Sequence, residues 1–232
     1  VTAFEGARPI LVLAPGAQVE PAHDWYRGFQ LIAEEARGLD ALDDNLRVGG
    51  FDAALEPGRP VTCVLSVEAE PALDGEQAWQ RRRAHEALVL LDWRKAQPAA
   101  GDAPPWIEQL VLAADQFVVG RPLAADPDGR SVIAGYHWFG DWGRDTMIAL
   151  PGLTLATGRY DTARRVLQTF ARFVDQGMLP NVFPGAGETP EYNTADAALW
   201  YVEARRAYFA ATSDKTSLRN VFPVLEDIVD WH

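Results

Sequence analysis

The sequence predicts a mainly α-helical chain whose helices form part of a double ring, preceded by a small β-rich, sandwich-like segment. Two observations predict this. In the first third, short β-branched runs are broken by Gly and Pro, the pattern of antiparallel strands joined by turns. After Pro105, five segments carry apolar residues at helical spacing, and they alternate between helices apolar on one side and helices apolar nearly all round. A double ring needs that alternation, because an inner helix touches neighbours on every side while an outer helix shows one face to water. The self-similarity of roughly 34 residues that marks TPR-like solenoids is not found.

In chain order, Ile10 to Ala14 and Val61 to Val67 read as strands. Trp25 to Phe29 and Leu46 to Leu55 read as further short strands, interrupted by Gly28, Gly49, Gly50 and Pro57. Asp74 to Trp93 is helical, with Ala78, Ala84, Ala87, Leu88 and Leu91 toward one side and the Arg81-Arg82-Arg83 run on the others, a solvated or carboxylate-paired face. Pro98, Gly101, Pro104 and Pro105 break regular structure between Ala96 and Pro105, so this segment is the expected linker between residues 1–98 and residues 99–232.

Beyond it, Trp106, Leu110, Ala114 and Phe117 predict an amphipathic helix ending near Gly120. Loop residues follow as far as Gly135. Asp145 to Thr157 is apolar on nearly all sides and interrupted by Pro151-Gly152, which must kink or open it. Tyr160 to Val174 is amphipathic with Asp161 as expected N-cap, Thr194 to Ala211 is again apolar all round, and an amphipathic helix starts near Asp214. The two loops ahead of the all-round apolar helices would open on the same end of the ring and bring Trp142, Arg144, Asp145, Glu191 and Asp196 into one funnel.

The densest chemistry lies in those two loops. Tyr136 to Asp145 reads Tyr-His-Trp-Phe-Gly-Asp-Trp-Gly-Arg-Asp, four aromatic rings running into Asp and Arg side chains. Sugars are bound by such sets, because their apolar C–H faces stack on rings while planar polar groups take hydroxyls in pairs. The alternative is a buried ion pair of Arg144 with Asp145 or Asp141 beside core aromatics. The second loop, Asn181 to Trp200, is rich in Pro and Gly and ends at a helix start carrying Asp196.

Trp138-Phe139-Gly140-Asp141-Trp142-Gly143-Arg144-Asp145-Thr146 and Glu191-Tyr192-Asn193-Thr194-Ala195-Asp196-Ala197 together resemble the catalytic domain of bacterial glycogen-debranching enzymes of the amylo-α-1,6-glucosidase type. A fainter likeness to the family's preceding β-domain lies in Tyr26-Arg27-Gly28-Phe29 and Glu35-Ala36-Arg37-Gly38-Leu39-Asp40. The resemblance implies an (α/α)6 barrel, here in part, and an inverting glycoside hydrolase acting on α-glucan such as glycogen or maltodextrin. It implies Asp196 as the general acid, Arg144 and Asp145 on the hydroxyls of the departing glucose, and a base Glu beyond His232. Trp138 and Trp142 are expected to stack on sugar, and Asp141, Glu191, Tyr192 and Asn193 to line the subsite. Asn193 reads equally as an N-cap, and Asp196 as a helix-capping acid. An acid in the first turn of a helix is favoured in its ionised form, so its role as proton donor would need burial or crowding by Glu188, Glu191, Asp141 and Asp145. A noncatalytic glucan-binding module and a related (α/α)6 glucosidase such as a glucoamylase are the alternatives.

Composition narrows the partners. Twenty-one basic against thirty-three acidic residues give a net charge of −12, which disfavours nucleic acid and anionic membrane surfaces and is indifferent to neutral sugar. The one cysteine, Cys63, cannot form an internal disulfide, so a cytoplasmic location is expected. The four histidines lack metal-ligand spacing, and neither a nucleophile elbow nor a phosphate loop occurs, so no metal or cofactor is expected. A start at Val1 and an end at Trp231-His232 within a periodic apolar segment read as a piece of a longer protein.

Overall fold

A computed structural model describes residues 1–2, 5–124, 126–136, 139–183 and 189–232. The chain packs as two units, Val1–Arg83 and Ala84–His232.

In the first unit, β1 (Leu11–Leu13) pairs antiparallel with β4 (Val64–Ser66). A longer ribbon is made by β2 (Gln18–Gln30) and β3 (Leu42–Asp52), antiparallel and joined through the short helix α1 (Ile32–Ala36). Register shifts between Pro21 and Asp24 and between Tyr26 and Phe29 break the ribbon into three paired stretches. Strands β1 and β4 agree with the expected runs, whereas β2 begins well before Trp25 and both β2 and β3 run on through the glycines expected to interrupt them, and the sandwich-like packing needs correction. Among the described residues every buried apolar side chain lies from Val89 onward, and Trp25 and Tyr26 on the ribbon are 48% and 50% exposed. A two-stranded ribbon is a single layer, and burial needs a second layer packed on its face.

The long helix α2 (Gly75–Ala96) begins at the Asp74 side chain, which accepts from the Gln77 N–H, and runs from the first unit into the second. The segment expected to be irregular is a 3₁₀ turn over Pro98–Asp102 that buries Ala100 with Val89, Trp93 and Val111 in a small satellite core. Proline at the first position of a helical turn loses no bond, which is how this Pro-rich stretch stays ordered. Next, α3 (Pro105–Gln116) stops before the predicted Gly120, because Val118–Gly120 instead forms β5, paired antiparallel with β6 (Arg130–Val132). The β-branched pair Val118-Val119 closed by a glycine suits a strand better than a last helical turn.

The main core belongs to four further helices: α4 (Gly143–Leu150), α5 (Tyr160–Ala171), α6 (Asp196–Thr212) and α7 (Lys215–Trp231). Met147, Leu150, Leu167, Phe170, Leu179 and Tyr201 are its largest fully buried members. Helix α4 packs on α6, α6 on both α5 and α7, and α5 on α7, so the helices expected to be inner and outer are in contact. The kink predicted at Pro151-Gly152 is a π-helical turn over Pro151–Leu155, closed by the Ala156 N–H on the Pro151 carbonyl. The Thr154 hydroxyl donates to the Leu150 carbonyl at 2.6 Å and steadies this turn. Gly158 follows at φ +77°, where an added Cβ would lie 2.6 Å from Ala96 Cβ, so only glycine lets the chain turn so close to α2.

Two details of capping differ from expectation. Arg159, not Asp161, is the N-cap of α5, and the Asp161 carboxylate binds the Arg164 and Arg165 side chains within the first turns instead. Asp214 does cap α7, accepting from the Ser217 N–H at 2.9 Å. Helices α4 and α6, apolar nearly all round, bury only one side each: Ile148 is 46% and Leu199 53% exposed. A helix is buried only where another element covers it, and the described residues supply neighbours on one side. Among these residues no helix is long and apolar enough to cross a membrane.

Candidate active site

The two motif loops are tied to each other by their backbones before either helix starts. The Gly143 N–H donates to the Asn181 carbonyl at 2.8 Å, the Phe183 N–H to the Asp141 carbonyl at 3.2 Å, and the Asn181 N–H to the Glu191 carbonyl at 2.8 Å. Isolated bridges Trp142–Val182 and Val182–Glu191 complete this three-part ladder. It sets the starts of α4 and α6 side by side, since α4 begins directly after Trp142 and α6 begins five residues after Glu191.

Gly143 is what permits the approach. A Cβ at that position would stand 2.0 Å from the Pro180 carbonyl oxygen, well inside contact distance, so the Trp-Gly-Arg-Asp motif needs its glycine for backbone proximity. Thr146, completely buried one turn on, donates its hydroxyl to the Val132 carbonyl at 3.1 Å and anchors α4 to β6. The motif's small residues are therefore the packing side, and its large polar residues face outward.

Arg144 and Asp196 meet. Arg144 Nε lies 3.1 Å from Asp196 Oδ2, with the two side chains 50% and 44% exposed. The first turns of α4 and α6 thus share one end of the helical unit, as the sequence pattern predicts. The partner differs from the alternative ion pairs considered from sequence, since Arg144 engages neither Asp145 nor Asp141 in a described salt bridge. Asp196 is half exposed with a cation as its ion-pair partner, and Glu188, one of the carboxylates expected to crowd it, lies outside the described residues.

Asp141, expected to line the subsite, is placed beside a cation. Its side chain is 8% exposed, and Arg121 Nη1 lies 2.9 Å from each carboxylate oxygen. The Arg121 guanidinium also sits 4.8 Å from the Phe183 ring centroid, and that ring stacks edge-on against Phe170 at 4.4 Å and Phe173 at 4.8 Å. Sequence reasoning did not find Arg121. Only its spacing from a Gly-Asp-Trp motif 20 residues later relates the two, and no period links them.

The remaining predicted residues divide. Glu191 is exposed and contributes its backbone to the ladder. Tyr192 donates its hydroxyl to the Phe173 carbonyl at 2.8 Å, and burial, then Asp175, raises its phenol above the ordinary value. Asn193 is exposed and is not the N-cap, a place held by Ala195 without any side-chain bond. Asp145 lines an apolar hollow of about 290 Å³ with Phe117, Val132, Ile133 and Ile148. Trp142, half buried, is the N-cap of α4, and Trp138 and Glu188 lie outside the described residues. Asn181 Oδ1, Thr194 Oγ1 and Asp141 Oδ2 are buried without a hydrogen-bond partner among the described residues, which leaves three polar atoms at the ladder open to a further contact.

A family model described as amylo-alpha-1,6-glucosidase matches residues 112–232, which include both motif loops and all of the ladder. A second, described as glycogen debranching enzyme N terminal, matches residues 1–62. The glycogen debranching enzyme of Saccharomyces cerevisiae is 40% identical over 73 residues, a stretch that covers 32% of this chain and 5% of the yeast protein. The chain thus spans only a small part of that relative's length, and the likeness is not confined to bacteria. With the larger match taking in more than half of its residues, the chain belongs to the amylo-alpha-1,6-glucosidase family of glycogen-debranching type.

Proposed function

We propose that this chain supplies the acid side of a glycoside hydrolase that removes α-1,6-linked glucose from glycogen or a related α-glucan in the cytoplasm. The observation that carries the reading is the Arg144–Asp196 contact, which joins the two loops of the family motif at one open end of the helices. Breaking a glycosidic bond needs one carboxylic acid to protonate the leaving oxygen and one carboxylate to activate water, about 6.5–9.5 Å apart in an inverting enzyme. Asp196 is the acid in this reading. The base is a Glu beyond His232, carried on a later part of an (α/α)6 barrel of which α3 to α7 are the first members, and the fragment alone is inactive.

Arg144 has two partners in turn. In the free protein it holds Asp196, through a pair so exposed that it contributes about 0–1 kcal/mol. Glucose hydroxyls displace the guanidinium as the ring settles against Trp142 and Trp138, and Asp196 is left facing the glycosidic oxygen without its cation. Asp145 takes a second hydroxyl from the neighbouring turn of α4. Glu191, Tyr192 and Asn193 then border the subsite, Tyr192 through its ring, because its hydroxyl is already bound to Phe173.

The test is a contrast of substrates in the complete enzyme. Asp196→Asn keeps the shape and removes the proton, so glucose release from a branched α-glucan falls by roughly 10²–10⁴ or more. Hydrolysis of α-glucosyl fluoride, whose leaving group departs without a proton, is spared by comparison. Equal losses on both substrates would make Asp196 a positioning group. No loss on either, with retained glucan affinity, would favour a noncatalytic glucan-binding module.

A further inference from the structure

A second polar cluster lies apart from the motif ladder, where α2, α3, β6 and the start of α5 come together. Asp115 is its centre, with a side chain 10% exposed. His85 Nε2 lies 2.6 Å from one of its oxygens and Arg159 Nη2 lies 2.8 Å from the other, so both carboxylate oxygens are engaged. The cations around it are not matched. Arg159 is 13% exposed, and its Nη1 is buried without a hydrogen-bond partner. Arg130 is exposed, with no side-chain hydrogen bond or ion pair among the described residues. Burial holds the Arg159 guanidinium below its ordinary value; Asp115 and, more weakly, Asp92 oppose that, and the nearby Arg130 adds to it. Of the other acids here, Asp161 is bound to Arg164 and Arg165, and Asp92 lies 3.7 Å from Lys95.

Two guanidinium groups and an imidazole thus share one cavity with the single carboxylate of Asp115, each of whose oxygens already has a partner, in a chain whose net charge is −12. They line a cavity of about 190 Å³ together with Val118 and Thr162. That is below the roughly 300 Å³ at which pockets for whole organic ligands begin, and suits a small ion or a single phosphoryl group. An adjoining hollow of about 280 Å³ shares His85, Arg159 and Thr162 and extends along Leu88, Val89 and Tyr160, with the carboxylates Asp92 and Asp161 on its wall, so the anion is placed in the smaller cavity. We propose that His85, Arg130, Arg159 and Thr162 form a binding site for a phosphate-class oxyanion, separate from the glucan site. A tetrahedral dianion offers acceptor oxygens in more directions, and more charge, to diverging guanidinium groups than one planar carboxylate does. The two guanidiniums would otherwise repel each other across the cavity.

Thermal unfolding of the 232-residue chain is followed against sodium phosphate, with sodium chloride at matched ionic strength and pH as control. Phosphate should raise Tm saturably where chloride does not. Arg130→Ala removes an exposed side chain, so its far-UV circular dichroism and its Tm in chloride should match the parent, while its apparent Kd for phosphate weakens on the order of tenfold or more. Arg130→Lys should recover part of that loss. A hexose monophosphate that binds more tightly than inorganic phosphate, with free hexose inert, assigns the site to a phosphate ester, and equal affinities assign it to inorganic phosphate. A Tm response equal to that of chloride, or an Arg130→Ala variant that titrates like the parent, would overturn the proposal.

Discussion

Two Arg–Asp pairs flank the same short loop, and they differ in almost every respect that matters. Arg121–Asp141 is closed in, its side chains 22% and 8% exposed, with the guanidinium lying on Phe183. Arg144–Asp196 is open, at 50% and 44%. Asp141 and Arg144 are three residues apart, yet one is buried and the other half exposed. The difference lies in what surrounds each pair. A buried carboxylate without its cation is left uncompensated in a poor solvent, whereas a half-exposed one is rehydrated at once. In the proposed reading, the closed pair stays fixed while the open pair exchanges its partner.

The sharpest way to break the comparison is to remove each arginine in turn. Arg121→Met leaves Asp141 buried and unpaired and should destabilise the chain by about 3 kcal/mol or more, measured by urea unfolding. A loss as small as that of an exposed pair would show that water reaches Asp141 and that the two pairs are alike. Gly143→Ala follows, since its Cβ meets the Pro180 carbonyl at 2.0 Å and the backbone must yield. About 1–3 kcal/mol is expected, with loss of hydrogen-exchange protection at the Gly143 and Asn181 amides if the ladder opens.

Tyr192→Phe tests the boundary between framework and subsite. Its hydroxyl bonds Phe173 and not solvent, so the variant should lose about 1 kcal/mol of stability and keep its glucan affinity. An unchanged stability with weakened glucan binding would return the hydroxyl to the sugar. The smallest effect on stability belongs to Arg144→Ala, under about 1 kcal/mol, because its pair is half exposed. The same variant should weaken α-glucan binding by about 1.5–3 kcal/mol through lost charge-assisted hydrogen bonds, read by calorimetric titration. Unaltered affinity would make the open pair structural after all.

Much of the frame was legible because periodicity is a local property. The helices α3 to α7 and the strands β1, β3 and β4 fall where apolar spacing and β-branched runs predict them, with ends displaced by a few residues, while β2 is a much longer strand than the run from Trp25 to Phe29 predicts. The displaced ends have local causes that compete closely: Val118 continues a helical pattern equally well as a strand, and Asp161 found arginines within one turn before it could cap. The sandwich-like expectation failed for a different reason, since alternation along one strand does not say whether a second sheet will cover it.

Taken alone, the sequence determined on which elements the two motif loops stand: an aromatic-rich loop ending in Arg144-Asp145 at the start of α4, and a Pro/Gly-rich loop ending in Asp196 at the start of α6. What only the tertiary structure decided is who meets whom. It paired Arg144 with Asp196 across two loops, sent Asp141 inward to Arg121, turned Asp145 toward an apolar hollow beside Phe117, and gave the motif glycine its reason in a carbonyl 37 residues away. Periodicity acts between neighbours in the chain, whereas ion pairing and close backbone approach are settled by distance in space, and burial then sets which of two chemically identical pairs is rigid and which is free to act.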